Sequence, residues 1–199
     1  RNAVYSSPHN EYIGQFVKDL FEREQPLKEV YNVTKDRYLK KKVHEGIFSI
    51  LYVLEYGINE EFKDSTTYAN EYMRIKSELA EKNDEEVVQK DLNSTIEKFD
   101  SFNKWLLKCT KITPYPISKE FYGIASKSYK FQTSMALILP ALFNKLYVEK
   151  VVGDISFEKS VEMIKKAMLN SFIEDPNYTA SSTNSKEIKK LVNAFGKED

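Results

Sequence analysis

Glycine, proline, cysteine and histidine are all scarce in this sequence: its 199 residues include six glycines, six prolines, one cysteine and two histidines. A β-rich domain of this size normally needs more turn residues, so the scarcity of glycine and proline favours long helices. The single cysteine, Cys109, excludes an intramolecular disulfide and is typical of a reducing compartment, which predicts a cytoplasmic protein. So few histidines and cysteines nearly exclude a zinc-finger or zinc-hydrolase site, and no metal is expected.

The chain also lacks net charge and long apolar runs. Lysine plus arginine equals aspartate plus glutamate at 30 each. Nucleic-acid-binding domains usually carry a basic excess, so nucleic-acid binding by this chain would require a local basic patch. The longest apolar run, Met135 to Phe143, is far shorter than the ~18 residues of a membrane span. No signal peptide is recognisable. We therefore expect no membrane partner.

Apolar residues recur at helical spacing along the chain and predict an all-α fold, an irregular bundle of about seven to nine helices forming a single domain over residues 1–199. Ser7 followed by Pro8 is the N-cap and first position of a helix. Thr34 is predicted to cap a long helix that ends at Gly57.

Further along, the pattern predicts a long antiparallel helical hairpin over residues 66–110 that turns at Lys82 and Asn83. Phe131 to Tyr147 is apolar around its circumference, which indicates a central buried helix. Asn184 and Glu187 resemble a capping box for a final amphipathic helix.

Arg37 and His44 are the first candidates for catalysis. They lie seven positions apart, two turns along the predicted helix, so their side chains would share a face. An arginine and a histidine a few residues apart on a helix resemble the pattern of the HEPN ribonucleases, which implies metal-free RNA cleavage beside the ribose 2′-hydroxyl in a helical dimer. The alternative is structural, because His44 lies at the border of the apolar arc.

A basic run is the second candidate, for binding phosphate or an acidic partner surface. Its members are Lys35, Arg37, Lys40, Lys41 and Lys42. The zero net charge favours the alternative of a solvated helix face. Lys40 is predicted to point closest to the core.

Aromatic residues are abundant, with 13 tyrosines and 12 phenylalanines. Exposed aromatic rings beside basic residues form stacking platforms for nucleic-acid bases. Tyr122, Tyr129 and Phe131 alternate with Lys127 and Lys130 in a way that would qualify. Most aromatic residues fall on apolar stripes, however, which favours core packing.

The opening residues Arg1-Asn2-Ala3-Val4-Tyr5-Ser6 resemble the end of a motif in a large prokaryotic family, the GmrSD-type modification-dependent restriction proteins with a ParB/sulfiredoxin-like N-terminal domain. Asp36-Arg37-Tyr38-Leu39 is similar to that family's Asp-Arg-rich start of a long helix. The segment from Phe172 to Phe195 is similar to its closing amphipathic helix. The chain would then be the helical C-terminal part of a longer polypeptide.

This resemblance implies a role in defence against foreign, often modified, DNA. The ParB-like half, with its Asp-Gly-Gln-Gln-Arg-type motif for nucleotide hydrolysis and DNA cleavage, would lie upstream. No cofactor is expected in this part of the protein, and a nucleotide would belong to that missing half. Arg1 and Asn2 would support the upstream site or close the interface between the halves. The expected partners are that domain, DNA and an HNH nuclease domain.

Two other functions stay open: a HEPN-type ribonuclease, and a protein–protein interaction module that uses the 66–110 hairpin. The second predicts exposed apolar patches of several hundred Å² on that hairpin.

Overall fold

A computed structural model describes residues 5–175 and 183–197. Within these ranges the chain forms nine α-helices and no β-strand, which confirms the predicted all-α bundle. The helices are α1 (Pro8–Glu22), α2 (Pro26–Val30), α3 (Lys35–Leu39), α4 (Lys42–Tyr56), α5 (Ser65–Lys82), α6 (Glu85–Cys109), α7 (Thr133–Phe143), α8 (Phe157–Leu169) and α9 (Ser185–Ala194).

Several helix starts follow the predicted local chemistry. The Ser7 hydroxyl accepts from the Asn10 N–H with Pro8 at the first helical position. At the turn between α5 and α6, Asn83 ends α5, and the Asp84 carboxylate accepts a hydrogen bond from the Val87 N–H as the N-cap of α6. An anionic cap also complements the positive end of the α6 dipole, which favours aspartate over asparagine there.

The predicted long helix from Thr34 to Gly57 is wrong, because the chain breaks into α3 and α4. Lys40 ends α3, and Lys41 has a left-handed backbone with φ of 60°. This conformation is uncommon for a lysine. The break lets Tyr38 stack on Phe21 of α1, with ring centroids 4.1 Å apart, while α4 continues into the core. Leu39, the last residue of α3, is 63% exposed as a result.

The core is built around α4 and α7. Residues Gly46 to Leu54 of α4 are buried on every side, and α4 packs against α1, α5 and α7. Every residue of α7 from Ser134 to Phe143 is buried, which confirms the prediction of a central apolar helix. A single π-helical turn, Asn144–Val148, continues directly from α7.

The antiparallel arrangement of α5 and α6 is visible near their turn. Lys76 of α5 contacts Asp91 of α6 across the pair, at positions symmetric about the connection. Beyond this contact α5 packs chiefly on α4, so the hairpin is embedded in the bundle along one side.

The predicted capping box before α9 is wrong. Asn184 has a left-handed backbone with φ of 47°, and its side chain makes no capping hydrogen bond. The Ser185 hydroxyl instead donates to the carbonyl oxygen of Phe62, which ties the start of α9 to the segment before α5. In the described part of the chain, none of the helices has the length and apolar character needed to cross a membrane.

Candidate functional site at the junction of α3 and α4

An open pocket of about 500 Å³ lies where the α3–α4 junction meets the start of α5 and the segment entering α7. We call it the Arg37–Tyr129 pocket. The lining residues used below are Arg37, Lys42, Glu45, Thr66, Tyr129 and Phe131. It therefore brings together part of the basic run and part of the aromatic group, which the sequence presented as separate candidates.

Arg37 is held rigidly in the wall of the pocket. Its Nη1 donates to the carbonyl oxygens of Tyr31 and Asn32, each at 2.7 Å. The guanidinium carbon lies 4.6 Å from the centroid of the Phe131 ring, a cation–π distance. Burial lowers the pKa of Arg37 to about 10, so the group remains a cation at neutral pH.

Phe131 forms the floor beneath Arg37. The tip of its ring abuts α4 at Gly46, where a Cβ atom would lie only 2.7 Å from the ring Cζ. Glycine is therefore required for this close approach of ring and helix backbone. The floor of the pocket is fixed on one side by Arg37 and on the other by α4.

The Glu45 carboxylate is a structural part of the pocket. Its Oε1 accepts from the Ser65 hydroxyl at 2.8 Å, and its Oε2 accepts from the Thr66 hydroxyl at 3.0 Å. Lys42 Nζ lies farther away, 3.5 Å from Oε1, and its side chain is 55% exposed. The carboxylate thus ties α4 to the start of α5 and forms a longer ion pair with the partly exposed Lys42.

Tyr129 provides the exposed aromatic surface, with 60% of the residue accessible. Its backbone is fixed by Ser126, whose hydroxyl donates to the Tyr129 carbonyl at 2.7 Å and accepts from the Tyr129 N–H at 3.1 Å. Lys130 is engaged elsewhere, with Nζ 2.9 Å from Glu120 Oε1. Tyr122 is buried, so of the predicted stacking residues only Tyr129 presents an open ring.

The rest of the basic run does not line the pocket. Lys40 is exposed and pairs with Asp36 at 2.9 Å, so the prediction that it points toward the core is wrong. The physical reason is that α3 ends at Leu39, so Lys40 does not lie on a continuous helix that enters the core. Lys41 Nζ lies 5.7 Å from the Tyr38 ring centroid, and Lys35 is exposed on α3.

His44 lies on α4 and does not line the pocket, so the prediction that it shares a helix face with Arg37 is wrong. Its ring contacts Tyr38, with centroids 5.6 Å apart, and its Nδ1 is buried with no hydrogen-bond partner in the described structure. Burial, aided by the nearby charge of Lys41, lowers the pKa of His44 to about 4. The imidazole is therefore neutral at physiological pH and packs as a ring.

The chain matches no family model, no curated protein and no solved structure at a significant level.

A second group of polar side chains, four of them ionisable, lies inside the bundle and was not predicted from the sequence. Lys76 Nζ is 2.7 Å from Asp91 Oδ2 and 3.3 Å from Glu55 Oε1. His9 Nε2 reaches the same Asp91 oxygen at 2.7 Å, and the Thr95 hydroxyl donates to Glu55 Oε1 at 2.7 Å. Together these five side chains link α1, α4, α5 and α6, and we call them the Lys76 network.

Burial opposes the charge on Lys76, but the carboxylates of Glu55 and Asp91 outweigh this effect and raise its pKa. The Lys76 side chain is only 2% exposed and that of Glu55 only 6%. One signal could have revealed the group: Glu55 and Lys76 are charges set among the apolar residues of their helices. A charge in such a position needs a partner, because burying it alone is costly.

Neither group forms a metal site. Among the described residues, no set of three or more histidine, cysteine, aspartate or glutamate side chains could hold a metal ion. Cys109 is buried, and burial raises the pKa of its thiol. Arg1 and Asn2, the remaining predicted binding residues, lie outside the described residues.

Proposed function

We propose that this chain is the helical accessory domain of a GmrSD-type modification-dependent restriction protein, with a scaffolding role. Arg37 was a candidate for both catalysis and phosphate binding. The observation that carries the proposal is that Arg37 instead donates hydrogen bonds to two backbone carbonyls and contacts the Phe131 ring. An arginine fixed in this way organises a fold. The resemblance of Arg1-Asn2-Ala3 and of Asp36 to Leu39 to that family supports the proposed identity of the parent protein.

The scaffold's principal partner in this proposal is a ParB-like domain encoded ahead of Arg1. The first test is to read the natural gene on that side and determine the fold it encodes. A ParB-like domain carrying the Gln-Gln-Arg signature is the expected result. A gene that encodes a different fold there would reject the family assignment.

The second test measures association between the two parts by isothermal titration calorimetry. The separately expressed ParB-like domain should bind this chain, and Arg1→Ala should weaken binding because Arg1 is proposed to close the interface. Arg23→Ala, an exposed arginine at the end of α1, is the matched control and should bind as the wild type does. Absence of binding by the wild type would reject the scaffolding role.

The geometry counts against the HEPN alternative. Arg37 and His44 lie on separate helices, and of these two residues Arg37 alone lines the pocket. Incubation with RNA is the direct check, with His44→Ala as the variant. Metal-independent cleavage that His44→Ala abolishes would revive the ribonuclease hypothesis.

The interaction-module alternative required apolar patches on the 66–110 hairpin. In this stretch Val87 is the one large apolar residue that is more than about a third exposed, at 45%. A single exposed valine is normal for a protein surface and does not mark a docking site. The observation therefore favours the scaffold proposal.

A further inference from the structure

We propose that the Arg37–Tyr129 pocket binds one nucleotide of a single-stranded nucleic acid, with its base stacked on Tyr129 and its phosphate held by Lys42. This inference goes beyond the scaffolding role and does not depend on it. It unites two features that the sequence shows only separately, a basic run and an exposed aromatic residue. The two features meet in one cavity because the α3–α4 junction packs beside the segment that enters α7.

The size of the pocket suits one nucleotide. Its volume of about 500 Å³ lies within the ~300–1,000 Å³ range of small-ligand pockets. The walls are largely pre-formed, because Arg37 and Phe131 are held by the backbone of the bundle. Pre-formed walls reduce the entropy lost when a ligand is ordered.

The charge of the pocket suits a phosphate. Glu45 is the acid in its wall, and its two oxygens already accept hydrogen bonds from Ser65 and Thr66. Lys42 Nζ lies 3.5 Å from Glu45 Oε1, farther than either hydroxyl, and its side chain is more than half exposed. Arg37 adds a fixed positive charge to the wall, because its guanidinium is held by two carbonyl oxygens and the Phe131 ring.

The aromatic surface suits a base. Tyr129 presents an open ring on a backbone that Ser126 fixes, and exposed lysine Lys127 lies two residues before it. Base stacking on an aromatic side chain tolerates any sequence, because every base has a π-face. Bases in a duplex are already stacked on their neighbours, so a ring at a pocket rim favours a single strand.

The test is fluorescence anisotropy with fluorescein-labelled poly-dT, poly-rU and a DNA duplex. We expect saturable binding to a single strand that is tighter than binding to the duplex. Tyr129→Ala should weaken that binding by about 5-fold to 100-fold, and Tyr129→Phe, which keeps the ring, should not. Comparison of poly-dT with poly-rU then identifies which single strand the pocket prefers.

Lys42 is tested through the salt dependence of the same binding. Loss of one phosphate contact in Lys42→Gln should reduce the slope of log affinity against log salt by about 0.7. Lys104→Gln, an exposed lysine on α6, is the matched control and should keep the wild-type slope. Circular dichroism of each variant confirms that the fold is intact.

The proposal is overturned if the wild type binds no single strand, if the duplex binds as tightly, or if Tyr129→Ala binds as the wild type does. Equal salt slopes for Lys42→Gln and Lys104→Gln would also overturn it. None of these results would affect association with a ParB-like domain, so the two proposals fail independently.

Discussion

Replacing Lys76 by methionine should destabilise the protein strongly, because the substitution removes the only ammonium that faces the buried Glu55 carboxylate within the described structure. Methionine preserves the apolar stem of the side chain, so the change isolates the charge. Glu55 would retain one hydrogen bond, from Thr95, while its Oε2 already has no partner. Asp91 would retain its contact with His9, and because its side chain is 35% exposed, water can hydrate the carboxylate.

The magnitude follows from the burial of the pair. Removing one partner of a buried ion pair costs about 3–5 kcal/mol, because the other charge is left without compensation. For a chain of this length each kcal/mol lowers Tm by about 2–4 °C, so the expected shift is about 6–20 °C. The double variant Lys76→Met with Glu55→Gln has no unpaired carboxylate at position 55. We therefore expect it to recover at least ~1 kcal/mol of the free energy of unfolding that Lys76→Met loses.

Urea unfolding followed by the fluorescence of the buried Trp105 measures these free energies. Lys82→Met is the matched control, since that lysine lies at the end of the same helix, is 72% exposed and is 3.8 Å from Glu78. Its effect should stay below about 0.5 kcal/mol. A loss below about 1 kcal/mol for Lys76→Met would refute the reasoning, since Glu55 would then not depend on Lys76.

Three further predictions concern pH, the core and the pocket floor. His44 has its pKa lowered from 6.5 to about 4, so as pH falls through this window only the unfolded chain takes up the proton. The free energy of unfolding should therefore drop by at most about 3 kcal/mol between these values, and pH-dependent urea titrations should show a smaller drop in His44→Gln. Leu142→Ala, at a fully buried position of α7, should cost about 2–5 kcal/mol, and thermal unfolding without loss would show that this residue is not core. Gly46→Ala should destabilise the protein by about 1–3 kcal/mol despite the better helix propensity of alanine, because its Cβ would meet Phe131. Adding Phe131→Leu should relieve that loss, and strictly additive effects of the two changes would contradict the contact.

The sequence predicted individual residues of the candidate site but not that they lie together in one pocket. Arg37 and Lys42 stood out by charge, and Tyr129 by its position among lysines. Their meeting in one pocket could not be inferred, because the two segments are far apart in sequence and approach each other only through the packing of α4 against α7. The pairing of Arg37 with His44 failed because the chain breaks at Lys41, where no glycine or proline signals a break.

The sequence by itself determined the helical class, most helix starts and the central apolar helix. These depend on signals within one or two turns, such as the hydroxyl of Ser7 on a nearby N–H, or the continuous apolar surface of α7. The tertiary structure alone decided which polar side chains are paired with other groups inside the fold. Arg37 donates to carbonyl oxygens just after α2, and the other members of the Lys76 network come from α1, α4 and α6. The partners of a side chain depend on which helices pack together, because these contacts join residues far apart in sequence. The packing itself is determined by burial of the apolar core as a whole.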